Sequence, residues 1–261
     1  MEPEKDLILR YGCAAGCLGD TAGLVVVEGN DGRKEAADPG MDEVVQEIAS
    51  AGGKAAAFEA DLETFAGALG MVDEALKLFK RVDVLINNVG GTIWTKPYEH
   101  YGEQEIEKEV RRSLFPTLWC CRAVLPFMVK KKKGTIVNVS SVATRSIHRV
   151  PYAAAKGGVN ALTASIAMEQ AGNGIRINAT APGGTEAPPR KVPRNLDKSA
   201  ARPSAKEKAW YQGIVDQTKE SSLMHRYGTI AEQVAPILFF ASDESSYITG
   251  SVLPVGGGDL G

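Results

Sequence analysis

Polar and apolar residues alternate along this chain in two rhythms. Short apolar runs recur at residues 24–28, 54–61, 82–86 and 135–139, the last of them rich in β-branched residues. Such runs, without periodic polar breaks, read as buried strands of a parallel sheet. Between them the apolar positions fall at helical spacing: residues 42–51, which stop at Gly52-Gly53, and a helix continuing through residues 72–79. A longer helix is expected over 103–128, interrupted by Pro116, and another around 207–219. Residues 7–9 are the candidate for a first strand, and a last helix and strand close the chain. Strands that alternate with helices predict an α/β fold: a Rossmann-like, doubly wound parallel sheet forming a single domain over residues 1–261.

In such a sheet the chemistry gathers beyond the carboxyl ends of the strands. The run 135–139 ends in Ser140-Ser141, and after a loop Tyr152 opens a helix rich in small residues. Lys156 follows four residues on, so phenol and ammonium share one helix face. A free tyrosine titrates near pH 10 and is a poor base at neutrality. A cation a few Å away lowers that value by about 1–3 units, which brings general acid–base work within reach. A serine hydroxyl at the strand end can hold the oxygen whose proton the tyrosine takes. Alone, a tyrosine and a lysine four apart mean little. The strand ends on either side give the pair its value: Asn87-Asn88-Val89-Gly90 after one strand, and Asn178-Ala179-Thr180-Ala181-Pro182-Gly183 after another.

These segments, in this order, resemble the short-chain dehydrogenase/reductase family from about residue 54 to the C-terminus. The resemblance implies a dehydrogenase using NAD, with Tyr152 as general base, Ser141 orienting the reacting oxygen, and Lys156 holding both the phenolate and the nicotinamide ribose. It places Asp61 and Leu62 beside the adenine ring, Asn88 and Gly90 along the cofactor, and Pro182, Gly183 and Thr185 over the nicotinamide. Thr92 and Trp94 leave the strand towards the substrate. Residues 185–222, long, polar and proline-rich at first, resemble the family's substrate lid.

Three departures stand out. An Asn usually lies on the long helix and relays protons to the active-site lysine; the aligned residue here is Ser113, flanked by Arg111 and Arg112. Ser141 stands eleven residues before Tyr152, against thirteen in the commoner family spacing, and the shortened loop carries Arg145, His148 and Arg149. Residues 1–53 form a divergent dinucleotide-binding part. Gly12 and Gly16 keep the first interval of the family's phosphate loop, but Tyr11 replaces a threonine and Gly19 falls one residue late. Glu28 then matches the acidic residue that holds the adenosine ribose, with only residues 20–23 left for the intervening helix. A glycine-rich turn with no phosphate role fits this segment too.

Composition narrows the setting. A formal net charge of -2 and one basic run, Lys130–Lys133, argue against a nucleic-acid partner. No segment approaches membrane-spanning length, and the N-terminus lacks a basic n-region and an apolar h-region. Of four cysteines, Cys120 and Cys121 lie in an apolar helix and read as core thiols in a reducing compartment, so a cytoplasmic protein is expected. Three scattered histidines predict no metal site. A homo-oligomer, a tetramer, is implied by the family alone.

Four further stretches, beginning at Asn87, Val110, Ala181 and Leu253, resemble the branch of the family that oxidises ring cis-diols bearing a carboxylate. That implies a small anionic cis-diol substrate and NAD. Arg145 and Arg190, with Arg149 and Lys191 nearby, are the candidate partners of its charge. A steroid, sugar or acyl alcohol as substrate, or a binding protein impaired in its cofactor loop, remain alternatives on these residues.

Overall fold

The computed structural model describes residues 13–16, 23–29, 39–187 and 204–261, with side chains from Asp42 onward. In chain order the elements are β1 (Cys13–Gly16), β2 (Gly23–Gly29), α1 (Pro39–Ser50), β3 (Lys54–Ala60), α2 (Phe65–Phe79), β4 (Val84–Asn87), α3 (Glu103–Lys131), β5 (Gly134–Val139), α4 (Val150–Gln170), β6 (Ile175–Pro182), β7 (Thr185–Glu186), α5 (Ala205–Ser221), β8 (Gly228–Thr229), α6 (Ile230–Ala241) and β9 (Val252–Val255). Seven strands form one sheet in the order β3-β2-β1-β4-β5-β6-β9. The pairs β2–β3, β4–β5, β5–β6 and β6–β9 are parallel. The α/β sheet with helices between its strands is the expected architecture.

The exception is β1, antiparallel to both β2 and β4. Residues 17–22 are too few for the dozen or so that a parallel crossover needs, whereas an antiparallel return can be short. The strand also falls inside the segment read from sequence as a phosphate loop. The candidate first strand at 7–9 lies outside the described residues.

Strand alternation sorts the core into two layers. Leu85 and Ile136 face α2, α3 and α4 with Met71, Val72, Val124 and Met128. Val84, Ile86, Val137 and Val139 face α6 with Ile237 and Phe240. Successive side chains point to opposite faces, and both faces are covered, which is why these runs carry no polar breaks. Cys120 and Cys121 are buried in the core, as expected. Among the described residues no helix is long and apolar enough to cross a membrane.

The long helix departs from expectation at Pro116, which lies buried inside an unbroken α3. An interior proline costs about 3 kcal/mol in an isolated helix. Here α3 packs along both α2 and α4, and that burial outweighs one lost backbone bond.

Polar groups inside the core bind the layers together. Asn87 Nδ2 donates to Asn138 Oδ1 at 2.9 Å, and Asn138 Nδ2 to Thr163 Oγ1 at 2.9 Å. Thr163 Oγ1 donates in turn to the Val159 carbonyl at 2.8 Å. The two asparagines are register partners across β4 and β5, and all three residues are at most 1% exposed. Removing the middle member strands buried donors and acceptors, each at about 1–3 kcal/mol. Asn138→Ala is therefore expected to lower the melting temperature by roughly 2–4 °C for each kcal/mol lost, whereas Thr163→Ser, which keeps the acceptor, should cost far less. Thermal melts of the two variants check this.

Candidate active site

Three strand ends meet at one edge of the sheet. β4 and β5 end level, with Asn87 opposite Asn138, and Val139 lies opposite Thr180 of β6. Beyond them come Asn88, the Ser140-Ser141 pair and Pro182. Ser141 closes β5 and caps a short 3-10 turn, its Oγ accepting from the Ala143 amide at 3.0 Å. The same hydroxyl reaches the Pro182 carbonyl only at 3.4 Å, the long limit of a hydrogen bond, so it can turn to another acceptor.

Helix α4 supplies the other two groups. Pro151 stands in its first turn, where a missing amide costs nothing. Tyr152 and Lys156 follow, at 9% and 3% exposure, and the ammonium lies 5.9 Å from the centre of the phenol ring. Lys156 Nζ donates to the Val139 carbonyl at 2.6 Å, which pins α4 to the end of β5. The Ser140 hydroxyl adds a second tie, to Asn160 Oδ1 and the Lys156 carbonyl. Ser141, Tyr152 and Lys156 thus belong to one strand end and the helix fastened to it. The Lys156 ammonium stands beside the Tyr152 ring, and the Ser141 hydroxyl stands at the adjoining strand end. Such a set can move a proton to or from a substrate hydroxyl.

The loop after β4 forms the floor. Gly90 and Gly91 adopt φ +145° and +134°, a region open to glycine and strained for other residues. A Cβ on Gly90 would stand 3.4 Å from Ser113 Cα and 3.7 Å from Lys156 Nζ. Ser113 is fully buried, and its Oγ accepts from the Gly91 amide at 3.3 Å. It therefore holds the glycine loop, next to the lysine. Further along, Glu109 is fully buried and accepts from the Ile93 amide at 2.9 Å and the Trp94 amide at 3.3 Å. Tyr101 Oη donates to the Trp94 carbonyl at 2.8 Å, and burial, with Glu109 and Glu105 nearby, pushes its phenol well above the usual range. Thr92 and Trp94 are half-buried on this clamped segment. Sequence reasoning passed over Glu109 and Tyr101; the signal for Glu109 was its place one turn before Ser113 on the same helix face.

The remaining expectations divide. Asp61 follows β3, its Oδ1 accepting from the Glu63 amide at 3.0 Å, while the Leu62 side chain is buried in the core, so only its backbone faces outward chemistry. Glu28 pairs with Glu59 near the carboxyl ends of β2 and β3, which is where a ribose-binding acid belongs. Thr185 stands on β7 with its Oγ1 3.4 Å from the Gly183 carbonyl, and Gly183 packs so closely on Gly256 that a Cβ would lie 2.8 Å from its Cα. Gly16 departs from expectation: in the antiparallel β1 it lies opposite Val84, at the amino end of β4, away from this edge. Arg145 is exposed, whereas Arg149 is half-buried, its guanidinium carbon 5.9 Å from the centre of the Tyr152 ring. Gly12 and Arg190 lie outside the described residues. Replacing Gly90 by alanine is expected to cost about 1–3 kcal/mol of backbone strain and to bring a methyl group within 3.7 Å of Lys156 Nζ. A lowered melting temperature together with reduced turnover checks it; an unchanged melt would show that the loop relaxes at no cost.

Comparison with known proteins follows this geometry. A family model described as short chain dehydrogenase matches residues 22–197. A protein of Acinetobacter baylyi named 1,6-dihydroxycyclohexa-2,4-diene-1-carboxylate dehydrogenase is 63% identical over 219 residues, covering 84% of this chain and 82% of that one. Its namesake from Pseudomonas putida is 65% identical over 202 residues, covering 77% and 73%. Among solved structures, NAD+-bound xylitol dehydrogenase superposes with a TM-score of 0.75 over 90% of this chain and 88% of that chain, at 23% identity, a likeness of fold.

Proposed function

This chain belongs to the short-chain dehydrogenase family, and from that premise we infer that it oxidises 1,6-dihydroxycyclohexa-2,4-diene-1-carboxylate to catechol, with loss of carbon dioxide and formation of NADH. The observation that carries the substrate assignment is the shared name of two relatives more than 60% identical to it.

The residues fit a nicotinamide dinucleotide at two of its ends. Gly90 leaves a space beside Lys156 that a Cβ would fill, suited to the nicotinamide ribose, and Asn88, Pro182, Gly183 and Thr185 are the other residues assigned to the cofactor. Asp61 and the Leu62 backbone suit the adenine, and Glu28 the adenosine ribose. When bound, NAD+ supplies the hydride acceptor.

The protein's own part is the proton. Tyr152, beside Lys156 on one helix face, takes the proton of the hydroxyl on the ring carbon next to the one bearing the carboxylate. Ser141 donates to that oxygen and orients it. Hydride leaves the same carbon, and the product is a ketone adjacent to the carboxylate-bearing carbon, a β-keto acid. Its C–C bond breaks to release carbon dioxide; the electron pair forms the enolate, which is aromatic, and the proton released in the first step balances its protonation to catechol. The second step needs little from the protein. Ser113, next to Lys156, takes the place of the family's relay asparagine by holding a water. Residues 185–222, including α5, serve as the lid over the substrate. Family membership supports a homotetramer, and the burial of Cys120 and Cys121 in the core fits a cytoplasmic setting.

The test is to incubate the protein with the diol acid and NAD+ and to follow NADH, catechol and carbon dioxide, expected in equal amounts. NADH without carbon dioxide would mean that the keto acid leaves before its C–C bond breaks, because the other hydroxyl sits on a carbon with no hydrogen to give as hydride. Tyr152→Phe should reduce turnover by at least about a hundredfold, the loss expected for a positioned general base, while still quenching or enhancing NADH fluorescence on binding. Turnover within tenfold of the parent would remove Tyr152 from that role.

The phosphate end leads to a separate expectation. With Gly16 at the amino edge of the sheet, its backbone does not serve a pyrophosphate as a loop-to-helix turn would. The chain is therefore expected to bind NAD+ weakly. Grafting a Thr-Gly-x-x-x-Gly-x-Gly loop and its following helix in place of residues 12–23 should tighten binding and raise the melting temperature together. Ordinary micromolar affinity, unchanged by the graft, would show that the existing segment suffices.

A further inference from the structure

Arg149 stands immediately before α4, three residues ahead of Tyr152, at φ -146° and ψ 44°. The residue before it is fixed from two sides. His148 lies in the left-handed region at φ +58°, and its carbonyl accepts from the Lys96 amide at 2.7 Å and from Tyr101 Oη at 3.2 Å. The guanidinium that follows is half-buried and within 5.9 Å of the Tyr152 ring centre. Its Nε donates to Ser146 Oγ at 2.7 Å.

What the rest of that guanidinium does is the informative point. Among the described residues, its two terminal nitrogens make no hydrogen bond and no ion pair. Three other arginines are committed: Arg176 reaches Phe240, Ser245, Thr135 and Ser242, Arg226 grips Glu232 and Arg81 grips Asp83. Asp259 is the carboxylate whose field reaches Arg149, yet its two oxygens accept from Ser221 Oγ and the Gly261 amide. Burial lowers the Arg149 pKa, against the pull of Tyr152, Tyr227, Asp259 and Tyr101. A desolvated cation with its fork open is costly until an anion meets it, and a planar guanidinium matches a carboxylate through two parallel hydrogen bonds.

We propose that Arg149 is the residue that recognises the substrate's carboxylate, its terminal nitrogens holding the two oxygens while Tyr152 takes the proton from the hydroxyl one ring carbon away. This rests on the functional reading above. It assigns to Arg149 the part that sequence spacing gave to Arg145, which is exposed. It also couples recognition to the lid, because Ser146, the partner of Arg149, donates to Gln217 Oε1 of α5 at 3.3 Å, as does the Ile147 amide at 3.2 Å.

The experiment compares kcat/KM for the diol acid with that for the same ring cis-diol lacking the carboxylate, in the parent, in Arg149→Met and in Arg149→Lys. The ratio of acid to carboxylate-free diol is expected to fall by at least about thirtyfold in Arg149→Met, as for truncating one partner of a buried charge pair. Arg149→Lys, which keeps the charge without the fork, should fall by about tenfold, chiefly through KM. Should the methionine variant fail to fold, the lysine variant decides alone. A ratio unchanged in the folded variants overturns the proposal. So does a shifted pH profile of kcat with the ratio intact, which would place Arg149 on the tyrosine's proton instead. If the parent makes no NADH from the diol acid, the functional reading itself fails; if the parent does and the variants keep its selectivity, only the role of Arg149 falls.

Discussion

The site depends on how α4 is fastened to β5. Three buried ties run along that seam. Asn138 reaches Thr163, Ser140 reaches Asn160 and the Lys156 carbonyl, and Lys156 reaches the Val139 carbonyl. Each joins a strand position near the carboxyl end to a residue on one face of the helix, so the helix has little freedom to slide or roll. Asn87 extends the seam to β4. A buried polar chain is worth having only when every member is satisfied, and here one hydrogen bond hands on to the next until it ends at a backbone carbonyl. Tyr152 and Lys156 are therefore placed against Ser141 by the core itself, not by a loop.

That placement has an electrostatic consequence. An ammonium at 3% exposure needs negative charge or strong acceptors around it. The Val139 carbonyl supplies part of it, and the ring of Tyr152 lies 5.9 Å away on the same helix face. Arg149 repeats the pattern at the mouth of the site, but its open nitrogens call for an anion from outside. Two positive charges, Lys156 and Arg149, thus stand by the Tyr152 ring, each 5.9 Å from its centre. The buried Glu109 contributes rigidity: by accepting from the Ile93 and Trp94 amides it fixes the segment that faces the substrate.

The alternation of strand and helix, the faces buried by each strand, and the strand-end asparagines, serines and tyrosine–lysine pair were all legible from residue order. These are local properties. Period two or 3.6 sorts side chains to faces whatever lies opposite, and a four-residue spacing on a helix brings two groups together without help. Pro116 and β1 were read wrongly for the complementary reason. Whether a proline breaks a helix depends on what packs around it, and α3 is covered by α2 and α4. Whether a short glycine-rich run is a loop or a strand depends on an open place in the sheet, and β1 takes the one between β2 and β4.

The choice between arginines shows the same division at the site. From sequence, Arg145 and Arg149 are two cations in one short loop, with Arg145 the candidate. The chain alone determined that cations would stand close before the catalytic tyrosine. Only tertiary structure decided which one turns inward: the His148 carbonyl is gripped by Lys96 and Tyr101, some fifty residues earlier in the chain. Those contacts hold a left-handed turn just before Arg149. Loop direction is set by hydrogen bonds from distant segments, and no local periodicity carries that information.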